Sequence, residues 1–244
     1  MMAKNNNGYR NRVTLITDKK ASFNYVEAFK SLRANVDFVT KADGIKTIMI
    51  TSSLPEETKS SVVCNLGLAL AEEGHKVCLI DCDLRKPTLH KYLRVSNVKR
   101  GLSDVFTGDI SLADYILKIN ENLFLLPAGT LPPNPSELLA REKMGRLIAF
   151  LETKFDIILL DAPPISVVSD AAVLGRWADG ALFVVRSKYA SIHEVKLAVK
   201  KLEDVKIKII GAILTRYDTE ATPYSKSGYY YSYSNYYYKK GGED

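Results

Sequence analysis

The chain has 244 residues, 46% hydrophobic and 25% charged, a size and composition that suit one well-buried soluble α/β domain or at most two small ones. No apolar run approaches the roughly 20 residues needed to span a bilayer. The opening stretch MMAKNNNGYRNR has no signal-peptide apolar core, so the cytoplasm is the expected compartment. The net charge of +6 admits anionic partners, yet no Lys/Arg run exceeds two residues, which argues against direct nucleic-acid binding.

Residues 1–20 are polar, with one short β-like run from Val13 to Ile16, and read as a loose arm. From Ser22 to Val39 the apolar positions Val26, Phe29, Leu32 and Val36 recur at helical spacing. Glu27, Lys30 and Arg33 are three apart on that helix and form one charged ridge. Lys46–Thr51 reads as a fully buried strand, and Ser60–Glu73 as a helix with Gly74 as its stop. Lys76–Asp81 is a second buried strand. Gly101–Phe106 and Leu112–Ile116 are expected as short helices, and Leu123–Leu126 as a strand running into the loop PAGTLPPNPSE. One helix is predicted from about Ser136 to Thr153, then a core strand Asp156–Leu160, a strand Ala181–Val185, a helix Ile192–Asp204 and a last strand Lys208–Leu214.

Strands that alternate with helices and are nearly continuously apolar imply a doubly wound, mostly parallel sheet covered on both faces. The domain is expected over residues 21–217, followed at 218–244 by a flexible tail of Tyr, Ser, Lys and Gly. Eight of the 14 tyrosines lie between Tyr224 and Tyr238. Cys64, Cys78 and Cys82 fit neither a disulfide framework nor a zinc pattern and read as small core residues. Trp177 reads as packing, and the three isolated histidines carry no assigned role.

In an open parallel sheet, ligands sit at the carboxyl ends of the strands. The strand at Ile48–Ile50 leads into Ser53-Leu54-Pro55-Glu56-Glu57-Thr58-Lys59-Ser60 and then a helix, the layout of a phosphate-binding loop. In such a loop, backbone N–H groups cradle phosphate, the Lys reaches the β/γ oxygens and the hydroxyl binds Mg²⁺. Against the pattern G-x-x-x-x-G-K-[ST], Ser53 and Thr58 stand at the two glycine positions, so the loop is degenerate. Two further strands end in carboxylates, one at Asp81 and Asp83, the other at Asp161. One Lys, one hydroxyl and three carboxylates are the parts of a Mg²⁺–nucleotide site.

These stretches resemble the bacterial tyrosine kinases, the autokinases of capsule and exopolysaccharide synthesis that share the phosphate-loop fold. The matching motifs are TSSLPEETKSS, VCLIDCDLRKP and DIILLDAPP, with LPPNPSELL, the Ser169–Ala171 stretch SDA and the C-terminal tyrosine cluster. Glu27, Lys30 and Arg33 resemble the family's E-x-x-R-x-x-R helix, with Lys in place of the first Arg. The resemblance runs from about residue 20 to the end.

The resemblance implies an ATP- and Mg²⁺-dependent protein-tyrosine kinase. The loop Pro55, Glu56, Glu57, Thr58, Lys59, Ser60 and Ser61 would hold the nucleotide. Ser60, Asp81, Asp83 and Asp161 would hold the metal, Asp81 would act as base and Arg85 would support the site. The acceptors would be Tyr229, Tyr230, Tyr231, Tyr233, Tyr236, Tyr237 and Tyr238, presented to a neighbouring subunit of a ring-shaped homo-oligomer, an octamer in the family, assembled through Glu27, Lys30 and Arg33. The resemblance is to the branch whose kinase is a separate cytoplasmic polypeptide. It works with a membrane adaptor of the chain-length-determinant type and a cognate tyrosine phosphatase, peripheral to the inner face of the membrane. Glu56 and Thr58 stand where family loops carry Gly, and weakened ATP binding is the expected consequence.

Two other readings remain open at this point. One is a MinD/ParA-like ATPase switch, although Leu54 stands where those loops carry a second Lys. The other is a nucleotide-binding pseudokinase adaptor whose tyrosines another kinase phosphorylates.

Overall fold

The computed structural model describes residues 13–96, 98–106 and 112–217. The seven tyrosines expected as acceptors lie outside these residues. Helix α1 (Phe23–Asp43) begins at Ser22, whose side chain accepts the Tyr25 N–H, and ends at Gly44, which turns left-handed at φ 66°. The remaining elements follow in chain order: β1 (Thr47–Ser52), α2 (Lys59–Glu72), β2 (Val77–Asp81), α3 (Leu89–Tyr92), α4 (Leu102–Val105), a 3₁₀ turn at Leu112–Tyr115, β3 (Leu117–Lys118) and β4 (Leu123–Leu126). Then come α5 (Pro135–Ala140), α6 (Glu142–Glu152), β5 (Ile157–Asp161), α7 (Asp170–Leu174), a 3₁₀ turn at Gly175–Trp177, β6 (Gly180–Arg186), α8 (Ile192–Asp204) and β7 (Ile209–Thr215).

The strands form one seven-stranded sheet in the order β3-β4-β2-β5-β1-β6-β7. All neighbouring strands run parallel except the short antiparallel pair β3–β4. The doubly wound, mostly parallel sheet expected from the apolar runs is therefore present. Successive strand residues face opposite cores, as the two-residue pleat requires. Ile48 and Ile50 join the core under α1 and α2, whereas Met49 joins the one under α5 to α8. Every residue of β1, β2 and β5 is buried, which is why these segments carry continuous rather than alternating hydrophobicity.

Four local expectations are corrected. Val13–Ile16 forms no strand, and the segment is not loose: Leu15 and Ile16 are buried. The buried Asn65 on α2 holds it by accepting the Ile16 N–H at 2.7 Å and donating to the Thr14 carbonyl at 3.1 Å. The single helix expected from Ser136 to Thr153 is two helices, broken at Arg141 in extended backbone (φ −65°, ψ 141°). In an unbroken helix the Leu139 carbonyl would accept the N–H four residues on; here the Trp177 indole N–H takes it at 2.9 Å. Gly145 leaves room for that ring, since a Cβ there would lie 2.4 Å from Trp177 Cζ3. The helix expected at Leu112–Ile116 is one 3₁₀ turn, and β3, α3 and α7 are elements too short for a periodic signal.

Candidate active site

At the carboxyl edge of the sheet, β1, β2 and β5 lie side by side and deliver their terminal chemistry to one place. Parallel pairing puts Asp81 of β2 directly across from Asp161 of β5. The loop after β1 ends at Lys59, the first residue of α2, whose Nζ lies 3.3 Å from Asp83 Oδ2 and 3.7 Å from Asp161 Oδ1. The same Nζ is 3.4 Å from Ser60 Oγ. Two carboxylates, Asp83 and Asp161, therefore share one lysine.

The electrostatics follow from burial. Asp81 and Asp161 are fully inaccessible to solvent. Burial, and then the neighbouring Asp161 charge, push Asp81 up to about 8. Burial also raises Asp161, although Lys59 opposes it. Burial works against the Lys59 charge, but Asp161 and Asp83 outweigh it and the amine is held above its ordinary value. Asp81 Oδ2 accepts the N–H groups of Thr88 and Leu89, both at 3.1 Å, and so caps α3. Asp81 Oδ1 and both Asp161 oxygens are buried without a hydrogen-bond partner.

Buried carboxyl oxygens short of hydrogen-bond donors can be satisfied by a further cation beside Lys59. Among the described residues, no group of three or more His, Cys, Asp or Glu side chains could hold a metal ion by itself. Mg²⁺ takes few protein ligands and draws the rest from water and phosphate. Ser60, Asp81, Asp83 and Asp161 are the residues beside Lys59 that would hold such an ion.

The loop itself is glycine-free but adopts glycine-like backbone. Glu56 and Thr58 have φ of 63° and 69°. Glu57 is buried, with Oε2 accepting from Ser53 Oγ and the Leu54 N–H, both at 2.7 Å. Its carboxylate therefore holds the loop together, while Pro55 and Glu56 are exposed and Ser61 is half-buried. Arg85 donates to both oxygens of the buried Asp170, at 2.9 and 3.1 Å, and Ser136 donates to the same carboxylate. Arg85 is thus fixed beside the aspartates through a residue on α7.

Glu27 and Lys30 pair on the exposed face of α1 at 2.8 Å. Arg33 does not join their ridge but pairs with Glu73 at the end of α2, at 2.7 Å.

The comparisons with known proteins agree with this geometry. A family model described as an AAA domain matches residues 45–213. Tyrosine-protein kinase YwqD of Bacillus subtilis is 34% identical over 231 residues, covering 94% of this chain and 96% of its own. The chain belongs to the bacterial tyrosine kinases.

Tyrosine-protein kinase wzc of Salmonella typhimurium is 37% identical over 206 residues, and there the match spans 84% of this chain but only 28% of the relative. Among solved structures, the chimerical protein CapA2B2 aligns with a TM-score of 0.76 at 30% identity, covering 83% of this chain and 88% of the other. MinD of Pyrococcus horikoshii, solved with Mg-ADP, aligns with a TM-score of 0.62 at 29% identity over 74% of this chain and 75% of its own. A bacterial tyrosine kinase and a MinD-type ATPase thus share this sheet.

Four residues that shape the site carried little or no signal of their own. Asp170 and Ser136 sit inside the SDA and LPPNPSELL stretches that mark the family, but nothing local says that they meet. Thr215 and Arg186, at the ends of β7 and β6, touch the loop only through the sheet order.

Proposed function

We propose that the chain is an ATP-dependent protein-tyrosine kinase that phosphorylates the tyrosine cluster of a neighbouring copy of itself. The observation that carries this reading is the buried pair Asp81 and Asp161, whose oxygens are short of hydrogen-bond donors, beside Lys59 at the start of α2. In this reading the loop from Pro55 to Ser61 holds the triphosphate, with Lys59 against the β and γ oxygens. The carboxylates keep that ammonium charged and hold it in place. Mg²⁺ held by Ser60, Asp81, Asp83 and Asp161 with waters would neutralise charge on the transferred group.

Asp81 Oδ1 accepts the proton of the incoming tyrosine hydroxyl as the tyrosyl O–P bond forms and the bond from the γ-phosphorus to ADP breaks. Positioning and charge supply most of the catalysis in such a transfer. Arg85, pinned by Asp170, supports the carboxylate edge.

The acceptors in this proposal are Tyr229, Tyr230, Tyr231, Tyr233, Tyr236, Tyr237 and Tyr238. Each phosphate adds charge that repels the carboxylate-rich site and neighbouring tails, a physical basis for releasing a homo-oligomeric ring. Family membership further supports a membrane adaptor of the chain-length-determinant type, a resetting phosphatase, action at the inner face of the membrane and control of polysaccharide export.

Intact mass after incubation with Mg²⁺–ATP, with and without a cytoplasmic adaptor peptide, tests the proposal. Successive phosphate additions are expected, absent in Lys59→Met and in a version truncated after Asp218. No addition with adaptor present, in a protein that also fails to bind ATP, overturns it. Nucleotide binding without phosphotyrosine favours a MinD-like switch instead.

A further inference from the structure

The phosphate-type loop holds two side-chain-bearing residues, Glu56 and Thr58, at φ of 63° and 69°. L-residues resist this region because Cβ crowds the backbone carbonyl, and a β-branched Thr resists it more. A glycine-free loop in this conformation needs outside support. Two strands that carry no recognised loop chemistry supply it.

At the end of β7, Thr215 Oγ1 accepts from Thr58 Oγ1 at 3.0 Å and donates to the Glu57 carbonyl at 3.3 Å. At the end of β6, the Arg186 N–H donates to Glu57 Oε1 at 3.2 Å and Arg186 Nη1 to the Glu56 carbonyl at 3.3 Å. The Arg186 guanidinium is itself stacked 4.5 Å over the Tyr189 ring. Glu57 then ties this outer frame to Ser53 and Leu54 at the start of the loop. Residues 56, 57 and 58 are each gripped from outside the loop.

Thr58 is also the residue before α2, a position where Thr ordinarily accepts an N–H of the first turn. It makes no such bond here: its backbone is left-handed (φ 69°) rather than extended, and its hydroxyl is turned to donate to Thr215. The first-turn N–H groups of this 14-residue helix stay clear of a protein cap, which is what an anion-binding helix start requires.

We infer that Thr215 and Glu57 are positioning residues that hold the glycine-free loop in its phosphate-accepting conformation. Thr215 substitutes, through its bond to Thr58, for the backbone freedom a glycine would bring. This rests on the nucleotide reading of the loop. Thr58 and Thr215 are therefore coupled: Thr215 matters more to nucleotide binding while a side chain stands at position 58, since only its bond to the Glu57 carbonyl remains without one.

The test is a double-mutant cycle on the full chain, reading Mg–ADP affinity by calorimetry and hydrogen exchange of residues 54–60 in nucleotide-free protein. Thr215→Val should weaken Mg–ADP binding by roughly 5- to 10-fold, the size of one lost hydrogen bond, and speed exchange in the loop. Thr215→Ser, which keeps the hydroxyl, should behave as wild type. Thr58→Gly should bind at least as well as wild type, and adding Thr215→Val to it should cost clearly less affinity than the same change in wild type, because only the bond to the Glu57 carbonyl is then lost.

An equal loss from Thr215→Val in both backgrounds, or no loss in either, overturns the inference. Failure of the wild type to bind Mg–ADP overturns the nucleotide reading instead. The exchange data then decide the brace alone, which falls if Thr215→Val leaves loop exchange unchanged.

Discussion

Arg85 grips Asp170 with two parallel hydrogen bonds, and the carboxylate it grips is fully buried while the guanidinium is 43% exposed. The pair joins the loop after β2 to α7, and Ser136 brings the start of α5 to the same carboxylate. Arg85→Ala leaves Asp170 a buried charge with only a hydroxyl partner. The expected cost is about 2 kcal/mol in urea unfolding, with phosphorylation reduced as well. Arg85→Lys should recover only part of either, because an ammonium cannot reproduce the fork. Full recovery by Lys would mean that charge alone matters here.

The Asp81–Asp161 pair makes the nucleotide-free protein sensitive to pH. With Asp81 at about 8 in the folded chain against an ordinary 3.8, the folded state keeps a proton that the unfolded state has lost. Stability from this group is therefore full below about pH 4, falls as pH rises toward 8 and stays low beyond. Asp81→Asn keeps an oxygen for the Thr88 and Leu89 N–H groups and removes the charge. Its Tm at pH 8.5 should exceed that of wild type by roughly 3–8 °C, with little difference at pH 5. Equal melting curves at both pH values would show that the pair carries no such penalty.

Metal dependence should appear in binding as well as in turnover. Without a divalent ion, the ligand's phosphates meet a carboxylate-rich edge offset by one ammonium, a net repulsion. EDTA should weaken ADP binding by more than about tenfold, seen as loss of most of the ligand-induced rise in Tm. The rise should return with added Mg²⁺. In Asp161→Asn, ADP binding should depend less on the metal, because one repelling charge is gone.

Trp177 holds the break between α5 and α6. Trp177→Phe keeps much of the packing and removes the indole N–H, leaving the Leu139 carbonyl without that donor. A loss of about 1–2 kcal/mol is expected in equilibrium unfolding, with nucleotide affinity unchanged. Gly145→Ala should destabilise further, since its methyl would press on the same ring. A neutral Gly145→Ala would show that the ring can swing aside.

Much of the architecture was legible from the chain alone because its cause is local. Strands buried on both faces must be apolar throughout, so β1, β2 and β5 stand out as runs, and the polar residues at their ends mark the carboxyl edge. Lys59, Ser60, Asp81, Asp83 and Asp161 could be picked from that pattern because each directly follows a strand or opens a helix. What could not be read locally were meetings between residues far apart in sequence. Asp81 faces Asp161 only because β2 and β5 pair in parallel, and that pairing is what buries both charges together. Glu56 and Thr58 looked like faults in a phosphate loop until β6 and β7 placed Arg186 and Thr215 against them. Arg33 pairs with Glu73 at the end of α2, and at the break between α5 and α6 the Trp177 indole takes the Leu139 carbonyl. The sequence determined the elements and the chemistry at their ends, since burial and periodicity act over neighbouring residues. The partners of that chemistry were decided by tertiary structure, since hydrogen bonds and charge pairs depend on distances that only the folded sheet sets.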